Sequence, residues 1–105
     1  NDLIITVTLE GFLVITNKLD GNILRITNIF TSFKKKKKSK IKPIGFVMGK
    51  KNIYLTLNNG RLLVIDNSSG KTLSVVKIDN NKISRPFITN QKLYIIKDNS
   101  IIKLN

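Results

Sequence analysis

Slid against itself, the sequence matches in two places, and those matches restrict the fold more than any other feature of the chain. At an offset of 49 residues, Ile4 falls on Ile53, Gly11 on Gly60, Asn17 on Asp66, Gly21 on Gly70 and Leu24 on Leu73. At an offset of 40, Tyr54 falls on Tyr94, Asn59 on Asn99, Gly60 on Ser100 and Leu62 on Ile102. The offsets differ by nine residues, close to the length of a lysine-rich segment between the first two copies. That segment therefore reads as an insertion into a repeat of about 40 residues, a period at which each unit is one supersecondary element stacked on its neighbours.

The middle copy is the best formed. Residues 53–57 are an apolar, β-prone run, Asn59-Gly60 supplies a turn that tolerates positive φ, and residues 62–65 are a second apolar run, which together make a hairpin. Asp66-Asn67-Ser68-Ser69-Gly70 forms the next turn, with side-chain oxygens available to backbone N–H groups, and Thr72 starts a third strand. Both faces of the run 62–65 are apolar, as in a sheet covered on both sides. Laid over the whole chain, the period predicts ten strands, at about 3–8, 12–17, 23–29, 44–48, 53–57, 61–66, 72–78, 85–89, 93–97 and 101–104. Pro43 and Pro86 stand just before strands, where a missing N–H does no harm.

These strands group as 3 + 4 + 3, with one complete four-stranded antiparallel unit in the middle. The fold class is thus all-β, and repetition of four-stranded units is the pattern of a β-propeller. The units cover about 1–30, 43–78 and 84–105, with the lysine-rich insertion at 33–42. Since propellers have roughly four to eight blades, about three blades are expected to be part of a larger one. The end strands, near Leu3 and Leu104, are expected to be open edges that associate with another copy or with further blades.

The segments Tyr54-Leu55-Thr56-Leu57-Asn58-Asn59-Gly60-Arg61-Leu62-Leu63-Val64-Ile65-Asp66 and Ser69-Gly70-Lys71-Thr72-Leu73 resemble the pyrroloquinoline-quinone-like (PQQ-like) propeller repeat. Ser84-Arg85-Pro86-Phe87, continuing to Leu93-Tyr94-Ile95, looks like the opening of the next repeat. Ser74 and Arg25 stand where that family has the Trp that docks neighbouring blades, so aliphatic locks between blades are expected instead. The resemblance implies one of two roles. The first is a non-catalytic scaffold for protein–protein interaction in the cell envelope or periplasm, like the lipoprotein of the bacterial outer-membrane barrel-assembly machine. The second is a fragment of a quinoprotein dehydrogenase whose cofactor site lies in other blades.

The residues themselves identify no reaction. Cys and His are both absent, which removes thiolate and imidazole metal ligands and every Ser-His or Cys-His nucleophile pair. The six acids, Asp2, Glu10, Asp20, Asp66, Asp79 and Asp98, are scattered, and repeat logic puts Glu10 and Asp98 at hairpin turns and Asp20 and Asp66 in the turn between the later strands. No catalytic, cofactor-binding or metal-binding residue is assigned, no cofactor is expected, and the chain reads as a non-enzyme. Tyr54 and Tyr94, at equivalent positions, are expected to pack between blades, and Arg61 and Arg85 to lie at the surface, the channel or the rim.

The net charge of +13 is unevenly placed: Lys34, Lys35, Lys36, Lys37, Lys38, Lys40 and Lys42 carry seven of the positive charges and leave +6 for the rest. These seven lysines are the candidate polyanion-binding residues, for nucleic acid, anionic lipid headgroups or an acidic protein surface. The plain alternative is a solvated loop in a chain whose Asn, Ile and Lys together reach 46 of 105 residues, a composition that lowers the weight of any one lysine. Phe30 and Phe33 beside the segment are either base-stacking residues or anchors for the end of the third strand. Deleting residues 34–40 is expected to leave the fold intact, with thermal unfolding unchanged or slightly raised, because closure entropy grows slowly with loop length and the lysines repel one another. It is also expected to remove most retention on an anionic matrix, read as the salt concentration at elution.

Overall fold

A computed structural model describes residues 2–31, 33, 40–80 and 83–104. Ten strands occur among them, β1 (Leu3–Val7), β2 (Phe12–Asn17), β3 (Ile23–Asn28), β4 (Pro43–Met48), β5 (Asn52–Leu57), β6 (Arg61–Asp66), β7 (Thr72–Lys77), β8 (Phe87–Thr89), β9 (Lys92–Lys97) and β10 (Ser100–Lys103), and no helix. They form three antiparallel sheets in the orders β1-β2-β3, β4-β5-β6-β7 and β8-β9-β10, the 3 + 4 + 3 grouping that the repeat requires. The three sheets stack as successive blades in a slab of 42 × 38 × 19 Å. The first strands of the second and third blades, β4 and β8, approach each other across the seam between those blades.

The repeat extends to its irregularities. A bulge interrupts β2–β3 between Ile15 and Thr16, opposite Arg25 and Ile23, and another interrupts β6–β7 between Val64 and Ile65, opposite Ser74 and Thr72. Shifted by 49, the first bulge becomes the second, with Leu24 and Leu73 as the extra residues. An extra residue on one strand bends it and increases local twist, which the outermost strand of a blade needs.

Turn chemistry accounts for the boundaries. Between β5 and β6 three residues turn the chain, with Gly60 at φ 77° and its N–H donating to the Leu57 carbonyl at 3.1 Å, so only the glycine of Asn59-Gly60 is left-handed. Between β8 and β9, Asn90 and Gln91 both take positive φ, 49° and 63°, and Asp98 and Asn99 repeat this between β9 and β10 at 51° and 65°. Those are two-residue turns of the kind whose twist matches a hairpin. Pro43 is the first residue of β4, where a proline is tolerated, and Pro86 precedes β8. Strand β8 is shorter than the sequence predicts because Ser84, not Arg85, extends the sheet: its N–H donates to the Ile96 carbonyl at 3.1 Å and its hydroxyl accepts the Ile96 N–H at 2.7 Å.

The core lies in the seam between the first two blades. Leu13, Ile29 and Phe30 from the first blade meet Ile53, Leu55, Leu57, Leu63 and Ile65 from the second, with Ile41 from the connection. Leu62 on the opposite face of β6 is also buried, so the central sheet is covered on both sides. The expectation of purely aliphatic locks is corrected here: Phe30 is buried in the seam and meets Phe33 edge to face at 5.9 Å, and Phe46 packs on the same cluster. The aromatic filling comes from the chain after β3 instead of from the tryptophan position. At that position the first blade has Arg25, whose stem lies over Gly70 of the second blade beside Thr27.

Gly11 joins local and tertiary structure. Its φ is 96°, its carbonyl accepts the Ile29 N–H at 2.9 Å, and a Cβ there would collide with the Phe30 ring. Gly11→Ala is expected to destabilise the fold by more than the about 1–3 kcal/mol that left-handed backbone strain alone costs. Phe30→Ala is expected to cost about 3–5 kcal/mol through lost burial and the cavity left behind. Chemical unfolding midpoints of the two variants check both, and a Gly11→Ala midpoint equal to that of the parent would refute the account of the turn.

Candidate functional site

The turns of each blade alternate between two ends of the stack. One end carries the turns before β2, β6 and β10 and the connections that enter β4 and β8, and it is where the lysine-rich segment joins the fold. Lys34, Lys35, Lys36, Lys37 and Lys38 lie outside the described residues; Lys40 and Lys42 are described and exposed. These two are fixed by one side chain that the sequence reading missed. The Asn58 carboxamide accepts the Lys42 N–H at 3.0 Å and donates to the Lys40 carbonyl at 2.9 Å, while the Asn58 N–H donates to the Lys42 carbonyl at 2.9 Å. Three bonds from one turn residue hold the return of the inserted segment against the β5–β6 turn. The signal was a break in the repeat: the residue aligned with Asn58 is Leu9 at one offset and Asp98 at the other.

Phe33 is half-buried and Phe30 almost fully buried, so Phe30 offers no face to a nucleic-acid base. Of the two readings of this pair, anchoring the end of β3 is the one the packing supports. Arg61 is half-buried at the start of β6, and its N–H donates to the Asn59 side chain at 3.2 Å. Arg85 is exposed and lies over Gly45 in β4, so close that a Cβ on that glycine would come within 2.6 Å of the arginine's own Cβ. Both arginines thus sit at strand entries, Arg85 on the side where β4 and β8 approach each other.

Three of the six acids are occupied in local structure. Asp20 accepts the Asn22 N–H at 2.9 Å, and Asp79 accepts the Asn80 N–H at 2.7 Å and pairs with Lys97 at 3.7 Å. Asp66 accepts hydroxyl bonds from Ser69 at 2.7 Å and Ser68 at 3.0 Å. Among the described residues no group of three or more His, Cys, Asp or Glu could hold a metal ion.

The outward faces of the end blades carry exposed apolar residues. On the first blade, Ile4, Phe12 and Ile26 are 46%, 40% and 58% exposed. Shifted by 49, Ile4 is Ile53, which the first blade buries completely. On the third blade, Phe87 and Tyr94 stack at 5.6 Å, with Ile96 and Ile101 exposed nearby. Tyr54 lines the seam between the second and third blades, whereas its counterpart Tyr94 stacks on Phe87 within the third blade. No helix among the described residues is long and apolar enough to cross a membrane.

No protein-family profile matches this sequence, and no curated protein matches it. Solved structures do match the fold. BamB from Moraxella catarrhalis is 16% identical with a TM-score of 0.69, over 98% of this chain and 29% of that one. The Cps50 (Swd1) beta-propeller domain from Myceliophteria thermophila is 14% identical with a TM-score of 0.71, over 90% and 31%. A quinohemoprotein alcohol dehydrogenase, ADHIIG from Pseudomonas putida HK5, is 16% identical with a TM-score of 0.67, over 90% and 15%. The chain therefore has the fold of a β-propeller segment and spans less than a third of the length of each of these structures.

The Ser69 and Ser68 hydroxyls, in that order, hold the Asp66 carboxyl below its ordinary value of 3.8. A carboxylate with a lowered folded-state pKa stabilises the fold in full above the unfolded value and loses that contribution as pH falls through the lowered one. Ser69→Ala is expected to move the Asp66 titration up towards 3.8, as read by carboxyl NMR. An unmoved titration would show that the Ser69 hydroxyl is not the cause.

Proposed function

We propose that this chain belongs to a non-enzymatic PQQ-like propeller scaffold that holds another protein, in the bacterial envelope or in outer-membrane protein assembly. The observation that carries the reading is the division of labour among its polar residues. Asp20, Asp66 and Asp79 and the turn asparagines bond to their own backbone or neighbours, which builds rigid loops and leaves no converging acid–base set among the described residues. Rigid loops on stacked blades suit recognition of a surface, since binding residues concentrate on loops held by a scaffold. The fold likeness to BamB supports the scaffold reading at the level of architecture. The envelope setting rests on the resemblance of the 53–73 repeat to the PQQ-like family.

A second reading, a fragment of a quinoprotein dehydrogenase, draws on an equal fold likeness, 16% identity to the alcohol dehydrogenase. Fold alone does not choose between them, because function belongs to sites. In the enzyme reading the cofactor residues lie in other blades, and those blades would add acidic calcium ligands and tryptophans.

Photo-cross-linkers at Glu10 and Asp98, two turn residues at one end of the stack, test the scaffold reading in the native cell. The expected result is a cross-linked second polypeptide of defined mass. Cross-linking to no second polypeptide, together with saturable uptake of pyrroloquinoline quinone and calcium by the native protein, would overturn it in favour of the enzyme.

A further inference from the structure

At the opposite end of the stack, the seam between the second and third blades opens into a cleft of about 710 Å³. That lies within the roughly 300–1,000 Å³ range of pockets that bury a ligand. Tyr54, Met48, Ile88 and Leu93 supply its apolar lining, and Lys50 and Lys92 supply its charge. Among the described residues no carboxylate lines it. Ile88 and Met48 are each 36% exposed, so the floor is open to an incoming group.

Both lysines are carried on fixed turns. On one lip, Asn67 holds the β4–β5 turn: its side chain donates to the Lys50 carbonyl at 3.2 Å and its N–H to the Lys51 carbonyl at 3.0 Å, while the Gly49 N–H donates to Asn52 at 2.8 Å. On the other lip, the left-handed pair Asn90-Gln91 sets Lys92 at the first position of β9. The ion pair found among the described residues is Lys97–Asp79, so neither Lys50 nor Lys92 is neutralised by a described carboxylate. Two cations held at the lips of an apolar floor match a ligand with an apolar centre and negative flanks.

We propose that this cleft is a docking site for an extended acidic peptide segment of a partner protein, with an aromatic or long aliphatic side chain inserted against Tyr54, Ile88 and Leu93 and flanking carboxylates on Lys50 and Lys92. The proposal rests on the scaffold reading and gives it a location. It also separates two kinds of anion binding. The lysine-rich segment, which rejoins the fold at the other end, is a block of like charge whose expected polyanion binding needs no particular shape, whereas the cleft requires an apolar anchor.

The probe is a fluorescein-labelled peptide, Asp-Glu-Phe-Leu-Asp-Glu, titrated into the intact chain by fluorescence anisotropy, beside a control in which Ser-Gly replaces Phe-Leu. The expected result is saturable binding of the first peptide and at least roughly tenfold weaker binding of the second, the scale of burying one good apolar anchor. Reversing both charges, K50E with K92E, is expected to weaken the first peptide about tenfold, since close charge complementarity is lost. Deleting residues 34–40 is expected to leave its affinity unchanged. Ile88→Ser serves as a second, charge-neutral variant with the same expected loss, and melting curves confirm that each variant is folded. Equal binding of the two peptides, loss on deletion of residues 34–40, or full binding by K50E/K92E and Ile88→Ser would each overturn the proposal. Displacement of the peptide from the cleft by an equimolar oligonucleotide would assign the site to nucleic acid instead. Absent peptide binding with persistent cross-links at Glu10 and Asp98 removes the cleft from the account and leaves the scaffold standing, whereas failure of both removes the two together.

Discussion

A sheet that is apolar on both faces cannot exist as a single layer in water, and everything in this fold follows from how the second blade meets that condition. Leu62 and Leu63 point to opposite sides of β6 and are both buried, so the blade needs a neighbour on each face. On one face the neighbour is the first blade, through Leu13, Ile29 and Phe30. Burial at about 25 cal/mol per Å² makes that seam the main source of stability, and the hairpins only determine which side chains reach it. Gly11 shows how closely turn and seam are coupled: the turn that reverses β1 into β2 also leaves the space in which Phe30 lies.

The second seam is built differently. Around Tyr54, Ile88 and Leu93 the blades stand apart and leave a cleft, and contact is made chiefly where β4 and β8 converge. Ile83 of the connection is buried, and the Lys97–Asp79 pair joins that connection to β9. An ion pair at the surface is worth at most about 1 kcal/mol, so this pair orients the connection more than it stabilises it. The chain thus has one dry seam that carries the fold and one open seam with room for a guest.

The architecture was legible in the sequence because repeats write it twice. The offset of 49 survives from Ile4 to Leu24 even across a bulge, since both copies carry the same extra residue and the alignment never slips. What was not legible has physical reasons. Asn90-Gln91 makes a left-handed two-residue turn without glycine, and no composition rule separates such a pair from an ordinary loop. The aromatic filling of the dry seam was hidden because Phe30 lies after β3, outside the position where a docking tryptophan was sought. Asn58 fell in a turn position where neither of the other copies has the same residue, so the repeat carried no information about it. The cleft belongs to neither blade alone: its two lips are about 40 residues apart, and only their relative placement makes a site.

Charge placement follows from the same alternation of ends. A block of like charges repels itself and disfavours a compact state, so it is tolerated only where the chain is already leaving the sheets. The connection from the outermost strand of one blade to the first strand of the next is such a place, because its length is not set by any ladder of hydrogen bonds. Asn58 then limits what the insertion can disturb: by holding Lys40 and Lys42 at the entrance to β4, it hands the chain back to Pro43 in register, whatever precedes it. The lysines of the cleft, by contrast, are set by short turns: Lys50 lies in the three-residue turn between β4 and β5, and Lys92 opens β9 directly after the two-residue turn Asn90-Gln91. The insertion can therefore vary in charge without changing where the chain re-enters β4, while at the other end Lys50 and Lys92 are tied to the strands that shape the cleft.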